Sequence, residues 1–270
     1  MTLLSINWNP DVELIKIGPI AIRYYSLMFI IAFVLGLQIM KRIYKNENVS
    51  LEKLDSLFIY TVIATLIGAR LGHFLFYDFD FLIKHPLEVL LPVKFNPFRF
   101  TGYQGLASHG AAIGVIIAMY FYSKKVLQKP ILWILDRIPL PVAIGGMFVR
   151  FGNLMNSEII GKPTNSDYGF VFQQLGEDFP RHPTQLYEAF GYLITFIILW
   201  FVYWKTDKKD KLGYIFGLFM VLLWTVRFIV EFFKEAQVDQ RATWDLNTGQ
   251  LLSIPLILVG FYFMFRKSKK

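Results

Sequence analysis

The chain contains no cysteine, which excludes disulfide bonds, thiolate metal sites and a cysteine nucleophile. Histidine is also scarce, with four residues and no His-Glu-x-x-His motif, so we expect neither a metal site nor a cofactor. Charged residues make up 18% of the chain, compared with about 25% in average soluble proteins. This composition excludes a disordered chain and a coiled coil.

Hydrophobic residues are abundant, at 55% of the 270 residues. A membrane-spanning helix needs about 20 mostly apolar residues, so this composition suffices for about seven spans and leaves little for a soluble domain. We therefore predict an all-α integral membrane protein with a single domain over residues 1–270. The first apolar run is too long for a signal peptide and is interpreted as a permanent helix. The predicted spans lie at about 18–40, 54–77, 105–122, 131–154, 185–204, 213–233 and 250–265.

Alternate connections between the spans are strongly basic. These clusters are Lys41, Arg42, Lys45 and Lys53; Lys124, Lys125 and Lys129; Lys205, Lys208, Lys209 and Lys211; and Arg266, Lys267, Lys269 and Lys270. Basic residues concentrate in short cytoplasmic loops, so the pattern predicts an external N-terminus and a cytoplasmic C-terminus. The net charge of +8 is then explained by inner-leaflet lipid, without nucleic acid as a partner. The outward connections, 78–104, 155–184 and 234–249, are expected to form a small external cap.

Polar residues inside the spans converge on one depth. A charged side chain at the centre of a membrane costs about 2.5–3.5 kcal/mol and usually faces a polar interior. Asp136 and Arg137 lie near the cytoplasmic start of the fourth span, where a local structural or snorkelling role is expected. The remaining polar residues fall in the outer half of the membrane and predict an outward-facing site, the alternative being separate buried pairs. They are Tyr25, Arg70, His109, Arg150, Asn153, Asn156, Glu158, His182, Glu188, Arg227 and Glu231.

The two arginines of this layer indicate an anionic ligand. A guanidinium binds phosphate through two parallel hydrogen bonds and keeps its charge in a low-dielectric pocket. A phospholipid head group is the phosphate expected at this depth. Arg227 and Glu231 are spaced i, i+4, so a mutually neutralising pair is the alternative. His109 lies among small residues in the stretch from Gly102 to Gly114, and it is expected to act either as a base or as a structural hydrogen bonder.

Five segments, in order along the chain, resemble the signature of prolipoprotein diacylglyceryl transferases. The most specific runs from Arg150 to Gly161, with the sequence RFGNLMNSEIIG. The others are Tyr24-Tyr25-Ser26-Leu27-Met28, His109-Gly110, Arg181 to Glu188 (RHPTQLYE) and Arg227 to Phe233 (RFIVEFF). The resemblance covers essentially the whole chain.

The resemblance implies an enzyme that transfers the diacylglyceryl group of phosphatidylglycerol to the lipobox cysteine of a prolipoprotein signal peptide, releasing glycerol phosphate. It implies a multi-pass protein of the bacterial cytoplasmic (inner) membrane, with its active site towards the outer leaflet. Arg150 would hold the head group, His109 is the candidate base, and Arg227 would stabilise the leaving phosphate. The orienting or supporting residues would be Tyr25, Asn153, Asn156, Glu158, Gly161, Glu231, His182, Glu188 and Arg70.

The chain departs from the family pattern at three positions. Ser157 and Ala111 stand where many members have glycine, and Leu223 stands four residues before Arg227 where many have tyrosine. Two other functions also fit arginines in a membrane cavity. A lipid or anion transporter predicts access from both sides of the membrane, and a non-catalytic lipid-binding scaffold predicts head-group binding without turnover.

Overall fold

The computed structural model describes residues 5–18, 20–101, 105, 107–235 and 246–267. The described chain is mostly helical. Its α-helices are α1 (Tyr24–Asn46), α2 (Leu51–Tyr77), α3 (Phe79–Lys84), α4 (Pro86–Leu90), α5 (Ser108–Tyr122), α6 (Ile131–Leu135), α7 (Pro139–Met155), α8 (Thr184–Lys205), α9 (Tyr214–Val230) and α10 (Thr248–Phe265). Short strands are β1 (Ser5–Trp8), β2 (Glu13–Ile17), β3 (Ile20–Arg23), β4 (Val93–Lys94), β5 (Arg99–Phe100) and β6 (Gly169–Phe172).

Five helices are long and apolar enough to cross a membrane. They are Tyr24–Asn46, Leu51–Tyr77, His109–Leu127, Thr184–Lys205 and Thr248–Phe265; the third combines α5 with the π-helical segment Ser123–Leu127 that continues it. Helices α7 and α9 have 17 residues each, at the lower end of the range of about 17–25 residues for a spanning helix. The structure therefore confirms a helical membrane protein, while the predicted total of about seven spans stays a prediction.

Two predicted spans differ from the helices in the structure. The first helix begins at Tyr24 rather than near residue 18, because β2 and β3 form an antiparallel hairpin with Gly18 at a φ of +59°. The predicted span 131–154 is interrupted between α6 and α7, where Pro139 occupies the first turn of α7. Proline suits this position because it has no backbone N–H to donate and cannot continue a preceding helix.

The chain divides into two compact units. The first contains Met1–Met40 and Leu135–Lys270, and the second contains Lys41–Ile134. In the first unit, β1 pairs in parallel with β6, and Trp8 donates from Nε1 to the Leu154 carbonyl at 2.9 Å. Leu154 packs with Phe170 and Phe172 in a buried cluster. This small sheet therefore anchors the carboxyl end of α7, where the Arg150–Gly161 motif lies.

Asp136 has the local structural role expected from its position. Its carboxylate is fully buried and accepts hydrogen bonds from the backbone N–H groups of Gly213 at 2.6 Å and Phe216 at 2.9 Å. These N–H groups open the first turn of α9, where they have no partner within the helix. Asp136 therefore caps α9, and Arg137 lies 3.9 Å from it.

The second unit is held together by close packing of α2 against α5. A Cβ built on Gly110 would lie 2.2 Å from the Gly68 carbonyl oxygen and 2.6 Å from the Gly72 Cα. The glycine next to His109 therefore allows the two helices to pack closely. Arg70 is buried in this unit, where its guanidinium donates to the carbonyls of Val89 at 2.8 Å and Glu88 at 3.0 Å.

Candidate active site

The carboxyl end of α7 and the turn that follows it bring four motif residues together. Arg150 and Asn153 share a face of α7, and Arg150 Nη1 donates to Asn153 Oδ1 at 2.9 Å. Asn153 in turn donates from Nδ2 to Glu158 Oε1 at 2.7 Å, and Asn156 Nδ2 lies 3.5 Å from the same oxygen. The Glu158 carboxylate thus orients the amide that holds Arg150.

The backbone beyond α7 turns sharply so that Glu158 faces back towards Asn153. Ser157 has a φ of +51° and Ile159 a φ of +59°, values that glycine adopts more readily than other residues. Glycine would therefore adopt the conformation of Ser157 with less strain. Gln185 and Thr184, both fully buried, hold the turn through bonds to the carbonyls of Glu158 at 2.8 Å and Ile159 at 3.0 Å.

Gly161 packs against the segment that precedes α8. Its N–H donates to the His182 carbonyl at 3.1 Å. A Cβ at this position would lie 2.3 Å from that carbonyl oxygen and 2.8 Å from Thr184 Cγ2, which is closer than real Cβ atoms approach. Glycine is therefore required at position 161 because the backbone at His182 approaches it closely. The φ of Gly161 is not positive.

Glu188 lies at the centre of an ion cluster, which we define as Arg150, Glu188, Arg227, Glu231 and Lys234. Its buried carboxylate lies 2.7 Å from Arg150 Nε, 3.5 Å from Lys234 Nζ and 3.9 Å from Arg227 Nη1. Glu231 lies 3.5 Å from Arg227 Nη2 and 3.4 Å from Lys234 Nζ. With all five side chains ionised, the ion cluster has one more positive than negative charge.

The accessible part of the ion cluster is Arg227. The Arg227 side chain is 30% exposed, compared with 13% for Arg150 and 3% for Lys234. Its distances to both carboxylates, 3.5 and 3.9 Å, exceed the roughly 2.7–2.9 Å of a tight charge-assisted hydrogen bond. Arg227 therefore retains donor capacity for an anion in a setting that carries excess positive charge.

Two tyrosines pack around Arg150. The Tyr25 hydroxyl lies beside the Asn153 side chain, and its ring lies where a Cβ on Gly152 would approach Tyr25 Cδ2 to 2.7 Å. The Tyr192 ring centroid lies 5.9 Å from the Arg150 guanidinium carbon, and its hydroxyl lies beside Arg150. Both hydroxyls are placed beside the arginine that the motif predicts to bind a head group.

Arg181 and His182 stabilise the segment above α8. Arg181 binds both carboxylate oxygens of Glu177, at 2.6 and 2.7 Å, and donates to the Gly161 carbonyl at 3.0 Å. The hydrogen bonds to Glu177 raise the pKa of Arg181, so it remains charged. Burial lowers the pKa of His182, whose Nδ1 lies 3.1 Å from the Tyr187 hydroxyl. These contacts hold the segment between Gly161 and α8 in place.

Lys234 was not predicted from the sequence as a site residue. It is 3% exposed and reaches both carboxylates of the ion cluster. Burial lowers the pKa of Lys234, while Glu188 and Glu231 counteract this by favouring its charged form. Asn247, which donates to Glu231 Oε2 at 3.3 Å, and Gln185 were also missed. The only sequence signal for Lys234 is its i, i+3 spacing from Glu231, which is weak on its own.

His109 is the second residue of α5 and is exposed. It belongs to the second unit, whereas the ion cluster belongs to the first. Its action as a base on a ligand held by Arg150 stays a prediction. Arg70 belongs to the second unit as well, and its contacts with backbone carbonyls support the segment containing α4.

A family model described as prolipoprotein diacylglyceryl transferase matches residues 12–266. The chain belongs to this family. A phosphatidylglycerol–prolipoprotein diacylglyceryl transferase of Bacteroides fragilis is 45% identical over 271 residues, covering 99% of this chain and 97% of the relative. The protein of the same name from Tolumonas auensis is 40% identical, over 97% of this chain and 98% of its own length.

A third relative of that name, from Chloroherpeton thalassium, is 38% identical over 98% of this chain and 95% of its own length. The matches thus extend across both units. Membership of the diacylglyceryl transferase family confirms the resemblance drawn from the Arg150–Gly161 motif and its four companion segments. Family membership does not favour the transporter alternative. It indicates that the ion cluster belongs to a transferase.

Proposed function

We propose that the chain transfers the diacylglyceryl group of phosphatidylglycerol to the thiol of a lipobox cysteine in a prolipoprotein signal peptide. The observation that carries this proposal is the family match over residues 12–266. The relatives' printed names specify both phosphatidylglycerol and a prolipoprotein. An ion cluster with excess positive charge is what a phosphate-bearing substrate requires. The absence of cysteine from the chain agrees with a reacting thiol that belongs to the substrate.

The reaction requires one carbon–sulfur bond to form and one carbon–oxygen bond to break. The cysteine thiolate attacks the glyceryl carbon attached to the phosphate, and the electron pair of the broken bond leaves on glycerol phosphate. The thiol proton passes to a base, for which His109 is our candidate. Free thiols ionise with a pKa of about 8.5, so a neighbouring acceptor increases the thiolate fraction at neutral pH.

The arginines supply fixed positive charge where negative charge develops. Arg150 is held by Glu188 and Asn153, so its remaining donors are oriented before the head group arrives. Arg227 is more exposed and less tightly paired, so it can follow the phosphate as its bond to carbon breaks. Preorganised donors of this kind stabilise a transition state without reorganising during the reaction.

The remaining motif residues act on the arginines. Tyr25, Asn153, Asn156 and Glu158 form the hydrogen-bonded surroundings of Arg150, and Glu231 holds Arg227. Gly161 allows the turn to pack on the segment before α8. We assign these residues to orienting the head-group site, with His182, Glu188 and Arg70 supporting it.

We further propose that the protein lies in the bacterial cytoplasmic membrane with about seven spans and an external N-terminus. The support is the alternation of basic connections, which clusters lysine and arginine in the same set of loops. The ion cluster would then lie towards the outer leaflet, where the cysteine of an exported prolipoprotein becomes available.

The direct test is mass spectrometry of a synthetic lipobox peptide incubated with purified protein and phosphatidylglycerol vesicles. We expect the peptide mass to increase by one diacylglyceryl group and glycerol phosphate to be released in equal amount. A peptide with serine in place of the cysteine should remain unmodified. Phosphate binding without any modified peptide would favour a lipid-binding scaffold, and movement of intact lipid across the vesicle membrane would favour a transporter.

The base assignment predicts that His109→Gln shifts the rising limb of the activity profile to higher pH. The thiol would then have to ionise without a neighbouring acceptor, so activity at neutral pH should fall at least about tenfold. Activity measured from pH 6 to 10 checks this, with His85→Gln as a matched control in the same unit. A His109→Gln enzyme with unchanged activity and an unchanged profile would eliminate the base role.

A further inference from the structure

The carboxylates of Glu188 and Glu231, which hold Arg227, also contact a second and more buried cation, Lys234. Lys234 Nζ lies 3.5 Å from Glu188 Oε1 and 3.4 Å from Glu231 Oε1. These are the same two oxygens that lie 3.9 and 3.5 Å from the Arg227 guanidinium. Arg227 and Lys234 therefore compete for the same two carboxylate oxygens, and the lysine is the buried competitor.

The position of Lys234 is fixed by the main chain. Lys234 forms an antiparallel bridge with Gly161, flanked by hydrogen bonds from Lys162 N to the Phe233 carbonyl at 2.8 Å and from Glu235 N to the Ile160 carbonyl at 3.1 Å. This pairing joins the end of the Arg150–Gly161 motif to the segment after α9. A lysine near the end of a spanning helix usually directs its ammonium to the membrane surface, whereas this one is directed into the ion cluster.

The charge of Lys234 determines the net charge of the ion cluster. Without Lys234, Arg150 and Arg227 would face Glu188 and Glu231 with no net charge among them. With it, one positive charge remains, and that charge lies next to the most exposed cation of the ion cluster. Charges about 4 Å apart in a partly buried site interact strongly because little water screens them, so this balance decides whether an incoming phosphate is attracted.

We propose that Lys234 is a positioning residue for the transfer reaction, neutralising Glu188 and Glu231 so that Arg227 is available to the phosphate of phosphatidylglycerol. Lys234 is more buried than Arg227 and is assigned no contact with the substrate. This inference rests on the proposed function and adds to it the residue that sets the charge of the head-group site.

The test compares Lys234→Met, Lys234→Arg and Lys162→Met in the peptide-modification assay with phosphatidylglycerol varied. We expect Lys234→Met to raise the KM for phosphatidylglycerol at least about tenfold and Lys234→Arg to restore it to within about threefold of the wild type. Lys162 is a matched control because it belongs to the same paired segment but is exposed, donating to the Phe232 carbonyl at 3.1 Å. Lys162→Met should retain the wild-type KM.

A double variant separates charge balance from a packing role. Lys234→Met combined with Glu231→Gln removes one charge of each sign and restores the net positive charge, so its KM should be lower than that of Lys234→Met alone. A purely structural lysine would instead give losses that add or worsen. An unchanged KM in Lys234→Met, or a double variant with a KM at least as high, would overturn the inference. The wild-type enzyme is assayed in parallel, and absence of transfer there would instead refute the proposed function.

Discussion

Replacing Arg150 with alanine is expected to reduce diacylglyceryl transfer at least about 100-fold, towards the background of the assay. The guanidinium is held on one side by Glu188 at 2.7 Å and on the other by Asn153 at 2.9 Å. Alanine removes the oriented donors and also leaves the ion cluster without its net positive charge. Both changes weaken the interaction with the phosphate, so we expect kcat/KM for phosphatidylglycerol to fall. Mass spectrometry of the modified peptide measures this rate.

Two further variants test whether the loss of transfer is specific to the guanidinium of Arg150. Arg150→Lys keeps the charge but loses the planar pair of donors, so its activity should fall between those of the wild type and Arg150→Ala. Arg266→Ala removes a guanidinium that lies after α10 and contacts the Leu212 carbonyl at 3.4 Å, and transfer should be unaffected. Wild-type turnover in Arg150→Ala would refute the assignment of this residue to the head group.

The sequence predicts contacts best where helical spacing alone decides them. Arg150 and Asn153 at i, i+3, and Arg227 and Glu231 at i, i+4, are in contact in the structure at 2.9 and 3.5 Å. The two interpretations offered for these residues, a shared polar site and separate neutralising pairs, are both partly correct. Arg227 does pair with Glu231, but Glu188 joins that pair to Arg150 in one ion cluster.

The role of Lys234 cannot be predicted from helical spacing. It depends on a main-chain bridge to Gly161, a pairing between distant parts of the chain that no local periodicity encodes. Tyr192 and Gln185 were missed for a related reason. They lie on α8 among apolar residues, and only the packing of α8 against α7 reveals that they contact Arg150 and the Glu158 carbonyl.

Hydrophobicity predicts helix boundaries poorly where an apolar run is not helical throughout. The stretch from Glu13 to Arg23 is rich in isoleucine and continues into α1, yet it forms the hairpin of β2 and β3. Hydrophobicity does not distinguish a strand from a helix in so short a segment. Between α6 and α7 the prolines at 139 and 141 were included in a continuous span, although Pro139 starts a new helix.

Glu188→Gln is expected to impair both stability and activity, because three cations of the ion cluster depend on this one carboxylate. The Glu188 side chain is 1% exposed and lies within 3.9 Å of Arg150, Lys234 and Arg227. Removing one partner of a buried ion pair typically costs about 3–5 kcal/mol, since the remaining charge has no compensation. Glutamine keeps the shape of the side chain, so the loss reports on charge rather than on a cavity.

Thermal unfolding and peptide modification, measured on the same preparations, test this prediction. Glu177→Gln is the matched control because Glu177 also pairs with an arginine, Arg181 at 2.6 Å, but its side chain is 17% exposed. Arg181 would keep its contacts with Glu235 and the Gly161 carbonyl, so the control should cost about 1 kcal/mol or less. We expect Glu188→Gln to lower the unfolding temperature clearly more than Glu177→Gln and to reduce transfer at least about tenfold, since Arg150 loses the carboxylate that orients it. Equal unfolding temperatures and equal activities in the two variants would show that Glu188 does not anchor the ion cluster.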